Sequence, residues 1–222
     1  MRILHVQASP RTGRSASLEV ASAFLDAWAS RDPDVVVDTL DVWNTPLPEL
    51  DGPALEAKYA GISGRSRTPE QEETWQAIGL LADRLKQAEL LIFSVPMWNF
   101  GIPYRLKHLI DAISQKDMLF AFDGSSISGH LSGRSAVIIS ARGSSFGEEF
   151  ASAEYDFQQR YLRAWLHMLG LTNVHTVEVE KTFQGGEVDA ASRSAARQRV
   201  RALALTLVAQ SLGSRPSPTL LA

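Results

Sequence analysis

The residues with most chemistry to offer lie on one short segment, Ser94-Val95-Pro96-Met97-Trp98-Asn99-Phe100-Gly101-Ile102-Pro103. Before it runs an apolar stretch, Ala88 to Phe93, with the composition of a strand buried on both faces. After it comes Tyr104 to Asp111, expected to be a helix with Pro103 in its first turn. Two prolines, a glycine, a thioether, two aromatic rings and a carboxamide therefore sit on a strand-to-helix loop. In an open parallel sheet, ligands bind at the carboxyl ends of the strands. Apolar groups to cover two faces and an amide to reach an edge suit a flat, partly polar ring system. The plainer alternative is that Trp98 and Phe100 only pack the loop.

A second loop, Ser9-Pro10-Arg11-Thr12-Gly13-Arg14-Ser15-Ala16-Ser17, offers different chemistry. It brings four hydroxyls and two arginines to the start of a helix, where free N–H groups and a partial positive charge favour an anion. It has neither the Gly-x-Gly-x-x-Gly spacing of a dinucleotide loop nor the Gly-Lys-Ser/Thr ending of a nucleoside-triphosphate loop. A terminal phosphomonoester fits it better. An ordinary N-cap at Ser15 with solvated arginines is the alternative. A third loop, Ser140-Ala141-Arg142-Gly143-Ser144-Ser145-Phe146-Gly147, has glycines that let backbone approach a ligand, and Arg142 is placed to bond a ring carbonyl. Flavin mononucleotide joins a flat ring to a phosphomonoester and would use all three loops.

The elements that must position these loops alternate along the chain. Strands are expected at Ile3–Ala8, Val35–Leu40, the run ending at Val95, Ser135–Ser140 and Val174–Val179. The first helix carries Leu18, Ala21, Phe24, Leu25 and Trp28 on one face. Thr68-Pro69-Glu70-Gln71 has the spacing of a capping box, followed by an apolar stripe of Trp75, Ile78, Leu81 and Leu85. A further helix is expected from about Glu148, ended by Gly170, and a last one from about Ala190 to Ser211. The fold class is α/β: a doubly wound, five-stranded parallel sheet in the order 2-1-3-4-5, with helices on both faces. That order brings the loops after strands one, three and four side by side. Two segments, 44–67 and 115–133, exceed ordinary loop length and are expected to contribute to a site or an interface.

Composition narrows the function classes. The chain has 222 residues, expected as one domain over 1–212 with a flexible tail over 213–222. A net charge of −3, without a Lys/Arg run, gives no footprint for nucleic acid. No segment reads as a membrane span or secretory leader, so a cytoplasmic location is expected. With no cysteine there is no disulfide, thiolate nucleophile or thiolate-held cluster. His5, His108, His130, His167 and His175 lack the spacing of a helical zinc motif, so no metal is expected. Asp38, Asp41 and Asp51 read as solvated charges.

The chain resembles the FMN-dependent NADH:azoreductases of the flavodoxin-like superfamily, which also reduce quinones. The resemblance covers most of the chain. It rests on Ser9 with Ser15-Ala16-Ser17, on Pro96-Met97-Trp98-Asn99-Phe100 followed by Leu106-Lys107-His108-Leu109-Ile110-Asp111, and on Arg142-Gly143. It implies tight, non-covalent FMN, its phosphate on Ser9 and Ser15 to Ser17, its ring among Met97 to Phe100 and Ala141 to Ser144. It implies NADH or NADPH as hydride donor, a quinone or azo compound as acceptor, and ping-pong turnover. It also implies a homodimer with FMN at the interface, in which Trp98, Phe120 and Phe122 wall the substrate slot. Three residues depart from the family's usual ones, Trp98 for tyrosine, Ala141 for serine and Ser144 for glycine, and they bear on substrate preference. The competing reading is a flavodoxin-type electron carrier with no substrate site, though such carriers are usually strongly acidic.

Overall fold

Five parallel strands form the sheet, in the order β2-β1-β3-β6-β7. A computed structural model describes residues 1–213. In chain order the elements are β1 (Arg2–Gln7), α1 (Ala16–Ala29), β2 (Val36–Asp41), α2 (Gly52–Ile62), α3 (Pro69–Gln87), β3 (Leu90–Pro96), α4 (Tyr104–Ile113), β4 (Phe120–Phe122), β5 (Ile127–Gly129), β6 (Ser135–Ala141), α5 (Ser152–Tyr155), α6 (Phe157–Met168), β7 (Asn173–Val179) and α7 (Gly186–Gly213). The central strand β3 is apolar almost throughout because both of its faces are covered. Leu91, Phe93 and Val95 enter one core, with Leu81 and Leu85 of α3, Leu106 and Leu109 of α4, and Leu162 and Trp165 of α6. Leu90 and Ile92 enter the other, with Phe24 and Trp28 of α1 and Val200 and Leu207 of α7. The alternation along one strand thus builds two hydrophobic layers, one on each side of the sheet.

Each strand-to-helix connection begins at the same edge of this sheet. The register Val6↔Phe93 and Phe93↔Ile138 sets the ends of β1, β3 and β6 level. Two links tie the chain just beyond them: the Ala8 amide donates to Ser94 O at 3.0 Å, and the Met97 amide to Ala141 O at 2.7 Å. The edge strand β2 is fixed from outside by Arg84 of α3, whose guanidinium donates to Asp38 at 3.0 and 2.7 Å. That pairing holds the Asp38 carboxyl below the ordinary aspartate range.

Several sequence expectations change in detail. The segment 44–67 is not an open loop, because α2 lies within it, capped by Asp51, whose Oδ1 accepts the Ala54 amide at 3.1 Å. Its buried stripe is Ala54, Ala57 and Ala60, too small to give a strong apolar period. The segment 115–133 holds the antiparallel β4–β5 hairpin. The helix expected from Glu148 forms later: Asp156 caps α6 by accepting the Gln159 amide at 2.9 Å. Pro103 stands one residue before α4, and β2 ends at Asp41. Helix α7 runs from Gly186 to Gly213, longer at both ends than its apolar period suggested. Of the expected tail, Gly213 closes α7 and the remainder lies outside the described residues.

Candidate active site

The loop between β1 and α1 folds around its own hydroxyls. Ser9, Ser15 and Ser17 are buried. Ser15 Oγ accepts the Leu18 amide at 3.4 Å and lies 3.2 Å from Ser17 Oγ. Ser9 Oγ accepts the Arg11 amide at 3.3 Å. With Leu18 capped, the amides of Ala16 and Ser17 at the head of α1 have no acceptor inside the helix. Arg11 and Arg14 stand exposed beside them. Buried hydroxyls and helix-end amides meet at a place suited to a phosphate, on a loop that also carries two exposed arginines. Beneath the loop, His5 Nε2 lies 2.6 Å from Ser94 Oγ. Burial lowers its pKa to about 4, so the ring is neutral at pH 7.

The loop between β3 and α4 is built the opposite way. Trp98 and Gly101 exchange both backbone bonds, at 3.1 and 2.9 Å, closing a two-residue turn over Asn99 and Phe100. Both central residues are left-handed, with φ of 47° and 67°. Two-residue turns of this hand prefer Asn followed by Gly. Asn99 meets that preference. Phe100 does not, and its Cβ makes the conformation costly. The turn divides two aromatic groups. On one side, Trp98 lies 5.6 Å from Trp43 and 6.3 Å from Tyr104 between ring centres. Trp43 is anchored in turn, its Nε1–H donating to Ala8 O at 3.0 Å. On the other side, Phe100 meets Tyr155 at 5.4 Å, Phe150 at 5.5 Å and Phe146 at 6.5 Å. Asn99 is exposed at the tip, and Trp98 and Phe100 each keep 37% of their surface.

The loop after β6 turns its charge inward. Arg142 is buried, with Nη1 2.6 Å from Asp156 Oδ2 and Nε 3.0 Å from Glu180 Oε1. Its guanidinium also lies 4.4 Å from the centre of the Phe146 ring. The side chain expected to reach a ring carbonyl is thus engaged by two carboxylates. Ala141 O is taken by Met97, and Gly143 O by the Phe183 amide at 3.3 Å. The loop keeps hydrogen-bonding capacity in its amides at Gly143 and Ser144 and in the buried, unpaired Ser140 hydroxyl.

Of the residues singled out from the sequence, Ser9, Ser15 to Ser17, Pro96 to Phe100 and Ala141 to Ser144 come together at the carboxyl edge of three adjacent strands. Phe120 and Phe122 do not join them within one chain. Their hairpin docks at the far end of α6, where the Leu131 amide donates to Leu169 O at 2.8 Å. A Cβ on Gly129 would strike the Leu169 backbone, so only glycine fits that contact. Sequence reasoning missed Trp43, Tyr104, Phe146, Phe150 and Tyr155. Trp43 was findable, since it follows β2 at the same sheet edge. Beside the turn a groove of about 1170 Å³ runs past Ile102, Tyr104, Lys107, Phe157 and Tyr161. Among the described residues, no cluster of His, Asp or Glu could hold a metal ion, and no helix is long and apolar enough to cross a membrane.

A five-stranded parallel sheet carrying a cup of buried hydroxyls and an aromatic turn on neighbouring strands defines a class of α/β fold. The family model described as "Flavodoxin-like fold" matches residues 1–204, and the chain belongs to that family. Its relatives are more specific. The chain is 44% identical over 212 residues to FMN-dependent NADH:quinone oxidoreductase 3 of Pseudomonas fluorescens, covering 94% of this chain and 98% of that one. It is 46% identical over 210 residues to FMN-dependent NADH:quinone oxidoreductase 9 of Burkholderia lata, covering 92% and 99%. Among solved structures, an FMN-dependent NADH-azoreductase from Bacillus anthracis in complex with FMN superposes with a TM-score of 0.86. It is 21% identical and covers 94% of this chain and all of that one, a likeness of fold.

Proposed function

We propose that this chain is an FMN-dependent NADH:quinone oxidoreductase that also accepts azo compounds and works as a homodimer. The observation that carries the reading is the pairing of a buried hydroxyl cup at the head of α1 with an aromatic turn one strand away. The cup suits a phosphate and the turn a flat ring, the two ends of FMN. Ser9, Ser15, Ser17 and the amides of Ala16 and Ser17 would hold the phosphate. Pro96, Met97, Trp98, Asn99 and Phe100 would flank the ring, Asn99 at its polar edge, with Ala141, Gly143 and Ser144 supplying backbone. Arg142 would fix the shape of its loop through Asp156 and Glu180. When bound, FMN would supply two-electron redox chemistry between NADH and the acceptor, and the one open site would serve the two substrates in turn. Trp98 and Phe100 would exclude water and stack on planar acceptors.

We read the sheet as the doubly wound 2-1-3-4-5 arrangement with the β4–β5 hairpin inserted. The dimer accounts for apolar surface that one chain leaves uncovered. Leu55, Tyr59 and Ile62 of α2, Tyr104 of α4, and Phe122 and Ile127 of the hairpin are all exposed. A second copy would bring its hairpin, with Phe120 and Phe122, toward the turn. A carrier without a substrate site would leave the exposed Trp98 and Phe100 without a task. A cytoplasmic location goes with this reading. Steady-state rates at varied NADH and quinone test it: parallel reciprocal plots are expected, and intersecting plots would mean that both substrates must be bound together.

A further inference from the structure

The strained turn raises a question that its own residues do not answer: what holds Phe100 in a left-handed conformation. A conformation of this cost persists where the surroundings over-determine it. Here the surroundings are the first turn of α6. Asp156 caps the helix through the Gln159 amide, and the Gln158 N–H, which has no acceptor inside the helix, donates to Phe100 O at 3.0 Å. The same residue's side chain donates through Nε2 to Val95 O at 3.1 Å. Gln158 thus grips this segment at two points, on the last residue before Pro96 and on the strained residue itself. It is fully buried, and among the described residues no donor reaches its Oε1. A site that needed only packing would be better served by an apolar side chain, which leaves no oxygen unpaired. Asp156 also takes Arg142, so the helix start joins the loop after β6 to the loop after β3.

We propose that Gln158 is a positioning residue that locks the Trp98–Gly101 turn in its ligand-facing shape, with the Asp156–Arg142 pair coupling that lock to the neighbouring loop. The role of the turn in holding the flavin ring rests on the functional reading above. The lock itself is a property of the chain without cofactor.

The test uses Gln158→Met, which keeps length and the backbone N–H to Phe100 but removes the side-chain bond to Val95 O that seats that N–H against the turn. In the apoprotein, hydrogen exchange is measured on peptides spanning residues 97–102 and residues 16–22. The variant is expected to exchange at least tenfold faster in the first and unchanged in the second. After FMN is added, its dissociation constant is expected to rise about tenfold, and that of riboflavin by the same factor, because the phosphate end is untouched. Equal exchange in variant and wild type at 97–102, or an equal rise in both peptides, would overturn the proposal by reducing Gln158 to a packing residue. Should Gln158→Met not fold, Gln158→Asn, too short to reach Val95, is compared in the same way. A wild type that binds neither FMN nor riboflavin would sink the functional reading while leaving the exchange result to judge the lock.

Discussion

The β1–α1 loop and the β3–α4 turn meet at one sheet edge and are made on opposite plans. The first satisfies itself. Its serines cap their own helix and bond one another, and its backbone carries no residue at positive φ. The second is strained and is held from outside, by Trp43 on one side and the start of α6 on the other. The difference follows from what each is suited to hold. A phosphate is met by donors that any helix N-terminus supplies. A flat ring needs side chains set at particular angles, which an unstrained strand-to-helix loop does not give. The cup is local chemistry, and the turn is tertiary structure.

The largest expected effect breaks the cup. Ser15→Ala with Ser17→Ala should weaken FMN binding by roughly 3–6 kcal/mol, at about 1.5–3 kcal/mol for each charge-assisted bond lost. Riboflavin, without a phosphate, should bind wild type and variant alike. Isothermal titration with both ligands checks this, and an equal loss for both would move the phosphate elsewhere.

The next effect concerns the ground between the two loops. His5 lies under the cup and bonds Ser94 on the strand that leads to the turn. Its pKa is about 4 in the folded chain against an ordinary 6.5. The unfolded chain therefore binds more protons between these values, and stability rises with pH across that window. It is fully present above pH 6.5 and is lost as the pH falls toward 4. The loss is on the order of 3 kcal/mol. Urea unfolding at several pH values should show a steeper acid loss in wild type than in His5→Gln. Parallel curves would mean that the ring is protonated without cost.

The smallest effect separates backbone from side chain in the turn. Asn99→Gly keeps the left-handed conformation, and Asn99→Val opposes it at a cost of about 1–2 kcal/mol. Both lose the carboxamide. Thermal unfolding of the apoprotein should therefore distinguish the two variants, while both should weaken ring binding. Equal stability would mean that the turn relaxes freely.

The same contrast explains what the sequence made legible. The cup could be read because Ser15 and Ser17 act within four residues of where they stand. The central strands could be anticipated because β1, β3 and β6 each carry a short apolar run ended by loop residues. The turn was visible as a cluster of residue types but not as a shape, since nothing local forces Phe100 to positive φ. Its partners lie far along the chain, Trp43 before it and Phe146, Phe150 and Tyr155 after it. Arg142 was legible as a cation in a ligand loop, but the two carboxylates that turn it inward come from 14 and 38 residues away. Helix α2 escaped because an alanine stripe carries little hydrophobic signal.

The central claim is that cup and turn together hold a flavin that works between NADH and a quinone. The most direct measurement is the visible absorbance of the purified protein loaded with FMN, followed without oxygen as NADH and then a quinone are added. The account predicts that the flavin band bleaches with one equivalent of NADH and returns with one equivalent of quinone. A protein that takes up no FMN, or whose bound flavin keeps its colour in excess NADH, would contradict it.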